Sequence, residues 1–339
     1  MSGHLSWAEA GVIGLLQGVS ELFPVSSLGH SILLPAIIGG SWKRDLDVSA
    51  PESPYLAFIV GLHVATALAL IVYFRRDWTR ILGGLVTSIR FRRVNTPEEK
   101  LAWLLILATI PVGITGLLLE HTFRTVLAKP NPTAVFLMIN GVVLLVAERY
   151  RRRSVAGRPT DETPAAPSAP TAPSRFPTAD PLPKSDGRRE SVPSARVATG
   201  TPTVSEGEAT DRRLSAVGVR KALIIGSAQI AALAPGISRS GAAIAAGLVE
   251  GLDHEDAARF SFLLATPVIL AAGVLKLPDL AGPLGDGIRG QVLLGSVLSF
   301  FGAYASVAFL SRYFRSNSLR PFGIYCLIFG ALALVLVNR

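Results

Sequence analysis

The stretch GVSELFPVSSLGHS, residues 18–31, lies inside the first long apolar segment of the chain. A carboxylate (Glu21), a proline (Pro24), paired serines (Ser26, Ser27) and an imidazole (His30) are each costly in hydrocarbon. Gathered in one short stretch, they read as a site enclosed within a membrane protein. Gln17 and Glu21 are four residues apart and share a helical face. Pro24 breaks that helix. Ser26 or Ser27 then caps a second helix, whose first turn offers unpaired N–H groups. His30, three residues after Ser27, is expected on the same side as that serine. A carboxylate, a hydroxyl and an imidazole thus surround a helix start, which favours anions.

A related stretch, APGISRSGA, occupies residues 234–242 of another long apolar segment. Pro235 and Gly236 break the helix, and Ser238, Ser240 and the N–H groups up to Gly241 form a second helix start. Arg239 adds a planar fork of donors suited to phosphate. An arginine in an apolar hairpin costs about 2.5–3.5 kcal/mol on insertion scales unless it is partnered. Glu21 or a bound anion is the expected partner. Gln17, Pro24, Ser26, Ser27 and Gly29 are echoed by Gln229, Pro235, Ser238, Ser240 and Gly241, with a slip of about one residue in the spacing.

Composition agrees with a membrane setting. Half of the 339 residues are hydrophobic and 17% are charged, against about 25% charged in soluble domains. Apolar segments run over 8–38, 55–74, 101–119, 133–148, 216–250, 258–277, 290–311 and 320–337. Most approach the roughly 20 residues a membrane helix needs. The segments 8–38 and 216–250 are longer and interrupted by Pro, Gly and Ser, as expected of re-entrant hairpins, which are tolerated only where buried in protein or lining a cavity. The basic segments 75–100, 149–153 and 312–320 fall on one side if both hairpins are re-entrant, and the positive-inside rule places them in the cytoplasm. The first hairpin then enters from outside, the second from inside, and both termini lie outside. The expected fold is an all-α polytopic membrane protein with an inverted-topology repeat. Each half, 1–150 and 216–339, holds one broken-helix hairpin and three transmembrane helices.

Residues 151–215 join the halves. From 154 onward they are rich in Pro, Ser, Thr and Ala. Such a segment buries too little apolar surface to offset its ordering entropy, so a disordered cytoplasmic linker is expected. The net charge of +9 follows from the clustered arginines, and no basic face with interleaved aromatics points to nucleic acid. No cleavable signal peptide is expected, because the first apolar run lacks a preceding basic region. The single cysteine, Cys326, excludes an intramolecular disulfide. His63, alone in an apolar run, reads as structural, and Ser296, Ser299 and Ser306 read as helix-packing residues.

Two ordered motifs carry a resemblance. Gln17 and Glu21, then Pro24 to His30, and PGISRSG at 235–241 resemble the undecaprenyl-diphosphate phosphatase, or bacitracin-resistance, family. SFLLATPV at 261–268 resembles the segment that follows in that family. Leu28 stands where the family often has threonine, and Gln17 is the amide form of a position that can be glutamate. The linker falls outside the resemblance. The resemblance implies a phosphatase that removes the terminal phosphate of a long polyprenyl diphosphate at the outer face of the plasma membrane. It also implies a role in cell-wall assembly and a divalent cation, Mg²⁺ or Ca²⁺. On this basis Glu21, Ser27, His30 and Arg239 are the expected catalytic residues. Ser26, Gly236, Ser238, Arg239, Ser240 and Gly241 would bind the phosphates. Glu21, with weaker help from Gln17, would hold the metal. Ser27 attacks phosphorus with His30 as base, or His30 activates water or attacks itself; the residues alone leave these routes open. A transporter with an anion site at the broken helices and a non-catalytic lipid-headgroup binder are the rival classes. The expected partners are the polyprenyl diphosphate and membrane lipid. A homodimer is compatible with a sequence that does not specify oligomeric state.

Overall fold

The computed structural model describes residues 5–46, 54–156, 206–282 and 287–339. Among these residues all regular structure is helical. The first half holds α1 (Trp7–Leu22), α2 (Ser27–Ile38), α3 (Gly40–Asp45), α4 (Pro54–Tyr73), α5 (Arg75–Phe91), α6 (Pro97–Leu127) and α7 (Pro130–Ala156). The second holds α8 (Glu206–Ser215), α9 (Gly218–Ala228), a 3₁₀ turn (Gln229–Leu233), α10 (Arg239–Val249), α11 (His254–Ala281), α12 (Arg289–Tyr313) and α13 (Arg320–Val337). Among the described residues, five helices, in α6, α7, α11, α12 and α13, are long and apolar enough to cross a membrane, and two bent pairs raise the number to as many as seven. The chain is a multi-pass membrane protein.

Local chemistry explains the element ends. Ser6 and Glu9 form a reciprocal capping box at the start of α1, and Thr96 and Glu99 do the same for α6, satisfying donors that a helix start leaves free. α1 stops at Phe23, which is extended ahead of Pro24, as the steric demand of a following proline requires. Ser26 caps α2 with φ +66°, its Oγ accepting from the Gly29 N–H at 3.2 Å. A non-glycine residue in this backbone region is strained, and such strain concentrates at functional sites. Gly236, at φ +108°, makes the equivalent break before α10. There Ser238 is the cap and accepts from the Gly241 N–H at 3.1 Å. Ser26 and Ser238, together with Gln17 and Gln229 and with Gly29 and Gly241, therefore align at one constant offset. The true counterpart of Ser240 is Leu28 rather than Ser27, so the slip read from the sequence belongs to the prolines.

Two polar segments differ from expectation. Residues 75–91, read as part of a basic connection, form α5, which turns 86° from α4. Leu82, Val86, Ile89 and Phe91 are exposed beside its arginines, the pattern of a helix lying along a membrane surface. At the linker's edges, α7 continues to Ala156 and α8 begins at Glu206. Residues 151–156 and 206–215 thus fall within the expected linker but are helical, and polar contacts hold α8. Asp211 of α8 accepts from Arg80 Nε of α5 at 2.7 Å, and Arg80 also pairs with Asp77 at 2.6 Å. Arg213 binds Asp256 of α11 with two hydrogen bonds, at 2.9 and 3.1 Å. The rest of the linker, 157–205, lies outside the described residues.

The helices pack through small residues, which let backbones approach closely where lipid supplies no hydrophobic drive. α1 lies on α12 with Gly14 facing Gly295 and Gly18 facing Ser299 and Ala303. α7 lies on α13 with Gly141 against Gly323 and Gly330 against Ala134. Ser299 hydrogen-bonds Thr66 and the Leu62 carbonyl, at 3.1 and 3.3 Å, in keeping with a packing role. One buried core joins both halves, from Leu22 and Phe74 through Leu144 to Phe260, Phe314 and Cys326. A Cβ at Gly14 would sit 2.5 Å from the Gly295 carbonyl oxygen. Gly14→Leu is accordingly expected to destabilise the fold by about 1–3 kcal/mol, measured as a lower unfolding midpoint in detergent. An unchanged midpoint would contradict the close α1–α12 contact.

The arginine-rich segments gather at one end. Arg259 of α11 reaches Asp77 at 2.6 Å. Glu148 of α7 accepts from His254 of α11 at 2.8 Å and from the Leu319 N–H at 3.3 Å, and Arg315 pairs with Glu255 at 3.3 Å. At the opposite end Gln291 bonds the Leu5 carbonyl at 3.2 Å, and Asn131 and Asn338 bond each other at 3.0 Å.

Candidate active site

The two broken helices meet inside the protein, and Asn140 of α7 ties their breaks together. Its side-chain amide donates to the Pro24 carbonyl at 3.0 Å, and its Oδ1 accepts from the Ser238 N–H at 3.1 Å. Ser238 and Ser240 hydroxyls are 3.1 Å apart, and Ser240 lies 3.4 Å from the Phe23 carbonyl. Glycines allow the closeness. A Cβ on Gly29 would lie 3.1 Å from Gly236 Cα, and one on Gly241 would lie 3.2 Å from Pro24. Two helix starts, each with a serine cap, therefore converge at one place, a concentration of N–H groups and positive helix ends suited to an anion.

Glu21 sits at the centre, its side chain 5% exposed. Oε1 accepts from Arg239 Nη2, which makes Glu21 the partner that this partly buried arginine required. Oε2 accepts from the Ser27 hydroxyl and from Gln17 Nε2, the latter at 2.9 Å. The expected helical face of Gln17 and Glu21 is thus in place. Ser27, at the first turn of α2, and Arg239, at the first turn of α10, reach the same carboxylate from the two helices. With Ser27 donating to Glu21, its proton already points at a carboxylate.

The His30 ring is held by Ser26 and Tyr325. It is buried, and its Nδ1–H donates to the Ser26 carbonyl at 2.7 Å and its Nε2 accepts from the Tyr325 hydroxyl of α13 at 2.8 Å. The ring also stacks on Phe329 at 4.9 Å between centroids. The ring thus lies against Tyr325 and Phe329 of α13. The acceptor of the Ser27 hydroxyl is Glu21.

Three neighbours were not anticipated as site residues. His63 of α4 places Nε2 3.7 Å from Glu21 Oε2 and 3.4 Å from Gln17 Nε2. Asn140 bridges the breaks, and Tyr325 holds His30. Each left a faint signal, a polar group within an apolar helix, where such groups are functional by default. None of the three lies near the motifs in sequence. Among the described residues no three His, Cys, Asp or Glu side chains converge as a metal cluster. Groups at the centre that could hold a cation include the Glu21 carboxylate and, if turned, the Gln17 amide oxygen.

The profile described as Bacitracin resistance protein BacA matches residues 10–169 and 192–332, including both helix breaks. The chain belongs to the BacA family. Its similarity to individual members extends over nearly the whole length. It is 55% identical to "Undecaprenyl-diphosphatase 1" of Frankia casuarinae, over 97% of this chain and 98% of that one. It is 54% identical to "Undecaprenyl-diphosphatase" of Mycolicibacterium paratuberculosis, over 99% and 98%. It is also 38% identical to "Undecaprenyl-diphosphatase 2" of Chromobacterium violaceum, over 96% and 97%. The BacA profile thus spans the residues that meet at Glu21, including Ser27 and Arg239.

Proposed function

We propose that this chain is a membrane phosphatase that hydrolyses undecaprenyl diphosphate, or a similar long polyprenyl diphosphate, to the monophosphate and inorganic phosphate. The observation that carries the reading is the buried junction of Glu21, Ser27 and Arg239 between two capped helix starts, in a chain whose relatives carry the name undecaprenyl-diphosphatase. A diphosphate headgroup is strongly anionic. Arg239 and the N–H groups around Ser238 to Gly241 would hold the transferring phosphoryl group, where electrostatic stabilisation is the main catalytic task. Ser26 lies at the opposing helix start and completes the cradle.

Ser27 is the proposed nucleophile. Its oxygen attacks the terminal phosphorus as its proton passes to Glu21. The bond to the bridging oxygen breaks, and the lipid monophosphate leaves. Water then attacks the phosphoserine and releases phosphate, and the proton returns to Ser27. An arriving diphosphate competes with Glu21 for Arg239, which frees the carboxylate to act as base. In this scheme His30 is a positioning residue. It fixes the Ser26 cap through its Nδ1–H and is itself held by Tyr325.

The proposed cation, Mg²⁺ or Ca²⁺, fits the residues present. Glu21 offers a hard carboxylate oxygen and Gln17 a neutral amide oxygen. When bound, such an ion would offset phosphate charge.

The fold reading extends to an inverted repeat with re-entrant hairpins. Its support is an exchange of packing partners. α1 packs on α12 as α9 packs on α6, α4 on α12 as α11 on α6, and α2 on α13 as α10 on α7. The Gly14–Gly295 contact has a counterpart at Gly226, which faces Ala108. The basic end is then cytoplasmic by the positive-inside rule, and the mouth of the first hairpin faces outward in the bacterial plasma membrane. Recycling of the lipid carrier for cell-wall synthesis, and bacitracin resistance through that recycling, follow as the biological role.

The test is phosphate release from undecaprenyl diphosphate by the purified protein in detergent, with Mg²⁺, with Ca²⁺ and with chelator. Cation-dependent release that Glu21→Gln abolishes is the expected result. Folded protein that binds the lipid and releases nothing under any cation would overturn the reading.

A further inference from the structure

The geometry points to His63 as a third ligand of the catalytic cation, beside Glu21 and Gln17, an inference that rests on the proposed metal role of Glu21. Gln17 Nε2 currently lies 2.9 Å from Glu21 Oε2 and 3.4 Å from His63 Nε2, and those two acceptors are 3.7 Å apart. An amide NH₂ group aimed at a carboxylate oxygen and an imidazole lone pair does what a cation would do there. Turning the amide over, a half-rotation about its last torsion, puts Gln17 Oε1 in place of Nε2 and gives three converging donors. Donors side by side around a cation with bonds of about 2.1 Å lie about 3 Å apart. The observed triangle is close to that size.

The tautomer of His63 suits the role. Its Nδ1–H donates to the Ile59 carbonyl at 2.8 Å, which leaves the Nε2 lone pair directed at Glu21 and Gln17. A ring N–H held by a backbone carbonyl is the usual support of a metal-binding histidine. The side chain is 28% exposed, which leaves room for an ion and its waters to enter. The chain has an amide at position 17, so the site carries one negative charge from its protein donors, and a neutral imidazole adds a ligand without adding charge. Two oxygens and one nitrogen also shift preference. Imidazole suits first-row transition ions, whereas Ca²⁺ favours all-oxygen sets. The site should therefore rank Mn²⁺ above Ca²⁺.

Pulsed electron paramagnetic resonance of the full-length, detergent-solubilised protein loaded with Mn²⁺ tests this without reference to turnover. The expected spectrum shows modulation from a histidine nitrogen, which changes when the protein is labelled with ¹⁵N-histidine, a comparison that needs no variant. In His63→Asn the modulation disappears, Mn²⁺ affinity falls roughly tenfold or more, and the preference moves toward Ca²⁺. His30→Asn retains the modulation. Bound Mn²⁺ without nitrogen modulation, or modulation that survives His63→Asn, would overturn the role of His63 while leaving Glu21 as a ligand. Mn²⁺ binding that Glu21→Gln leaves unchanged would overturn both this inference and the cation site on which it rests.

Discussion

Arg239→Ala is expected to lower phosphate release by about 10³-fold, the scale on which a single arginine acts on a transferring phosphoryl group. The same substitution should destabilise the fold by about 3–5 kcal/mol, because it leaves the buried Glu21 carboxylate without its cation. The two losses have different origins and separate in a second variant. Adding Glu21→Gln removes the unpaired charge, so the double variant should regain most of the stability and none of the activity. Unfolding midpoints in detergent and phosphate release in the same preparation measure both. If turnover returned along with stability, the ion pair would be structural and the phosphate would bind elsewhere.

Asn140→Leu should also lower turnover strongly, although Asn140 is remote from the motifs in sequence. The substitution leaves the Ser238 N–H without a partner, at about 1–3 kcal/mol, and leaves the Pro24 carbonyl with only the weak Cys326 thiol donor at 3.8 Å. It also releases the link that sets the first helix break against the second. A displacement of about 1 Å between groups that must act together can cost on the order of 10² in rate. Turnover is therefore expected to fall about 10²-fold, with substrate affinity changing less than turnover. Equal losses in both would indicate that Asn140 helps to hold the substrate rather than to align the two helices.

What the sequence revealed and what it concealed follow from the range of the interactions. Pro24, Gly236 and the serine caps act on backbone within a few residues, so both helix breaks were legible locally. The pairing of Gln17 with Glu21 depends only on helical spacing, and the structure retains it. Arg239 could be matched to Glu21 because a buried arginine needs a counter-charge and few carboxylates lay in apolar segments. The partners of the His30 ring, Tyr325 and Phe329, were not legible because they lie nearly three hundred residues away in the chain. His63 reads as structural, and Asn140 draws no notice, for a similar reason. Their meaning arises only when α4 and α7 pack against the broken helices, and an isolated polar residue in an apolar run does not disclose its neighbour. The edges of the polar segments were blurred because α5 and α8 are stabilised by ion pairs between distant elements, whereas local polarity alone suggests a connection.

The site now has a defined chemical centre, a single carboxylate that receives a serine hydroxyl from one helix start and a guanidinium from the other. A transporter could use the same anion site, but transport requires no covalent bond between the protein and the phosphate. The most direct measurement is an acid-quenched single turnover with undecaprenyl diphosphate labelled in its terminal phosphate, followed by mapping of the labelled residue. Label on Ser27, absent in Ser27→Ala, is the expected result. Label on His30, or rapid release of phosphate with none ever attached to the protein, would contradict serine attack at the junction of the two helix starts.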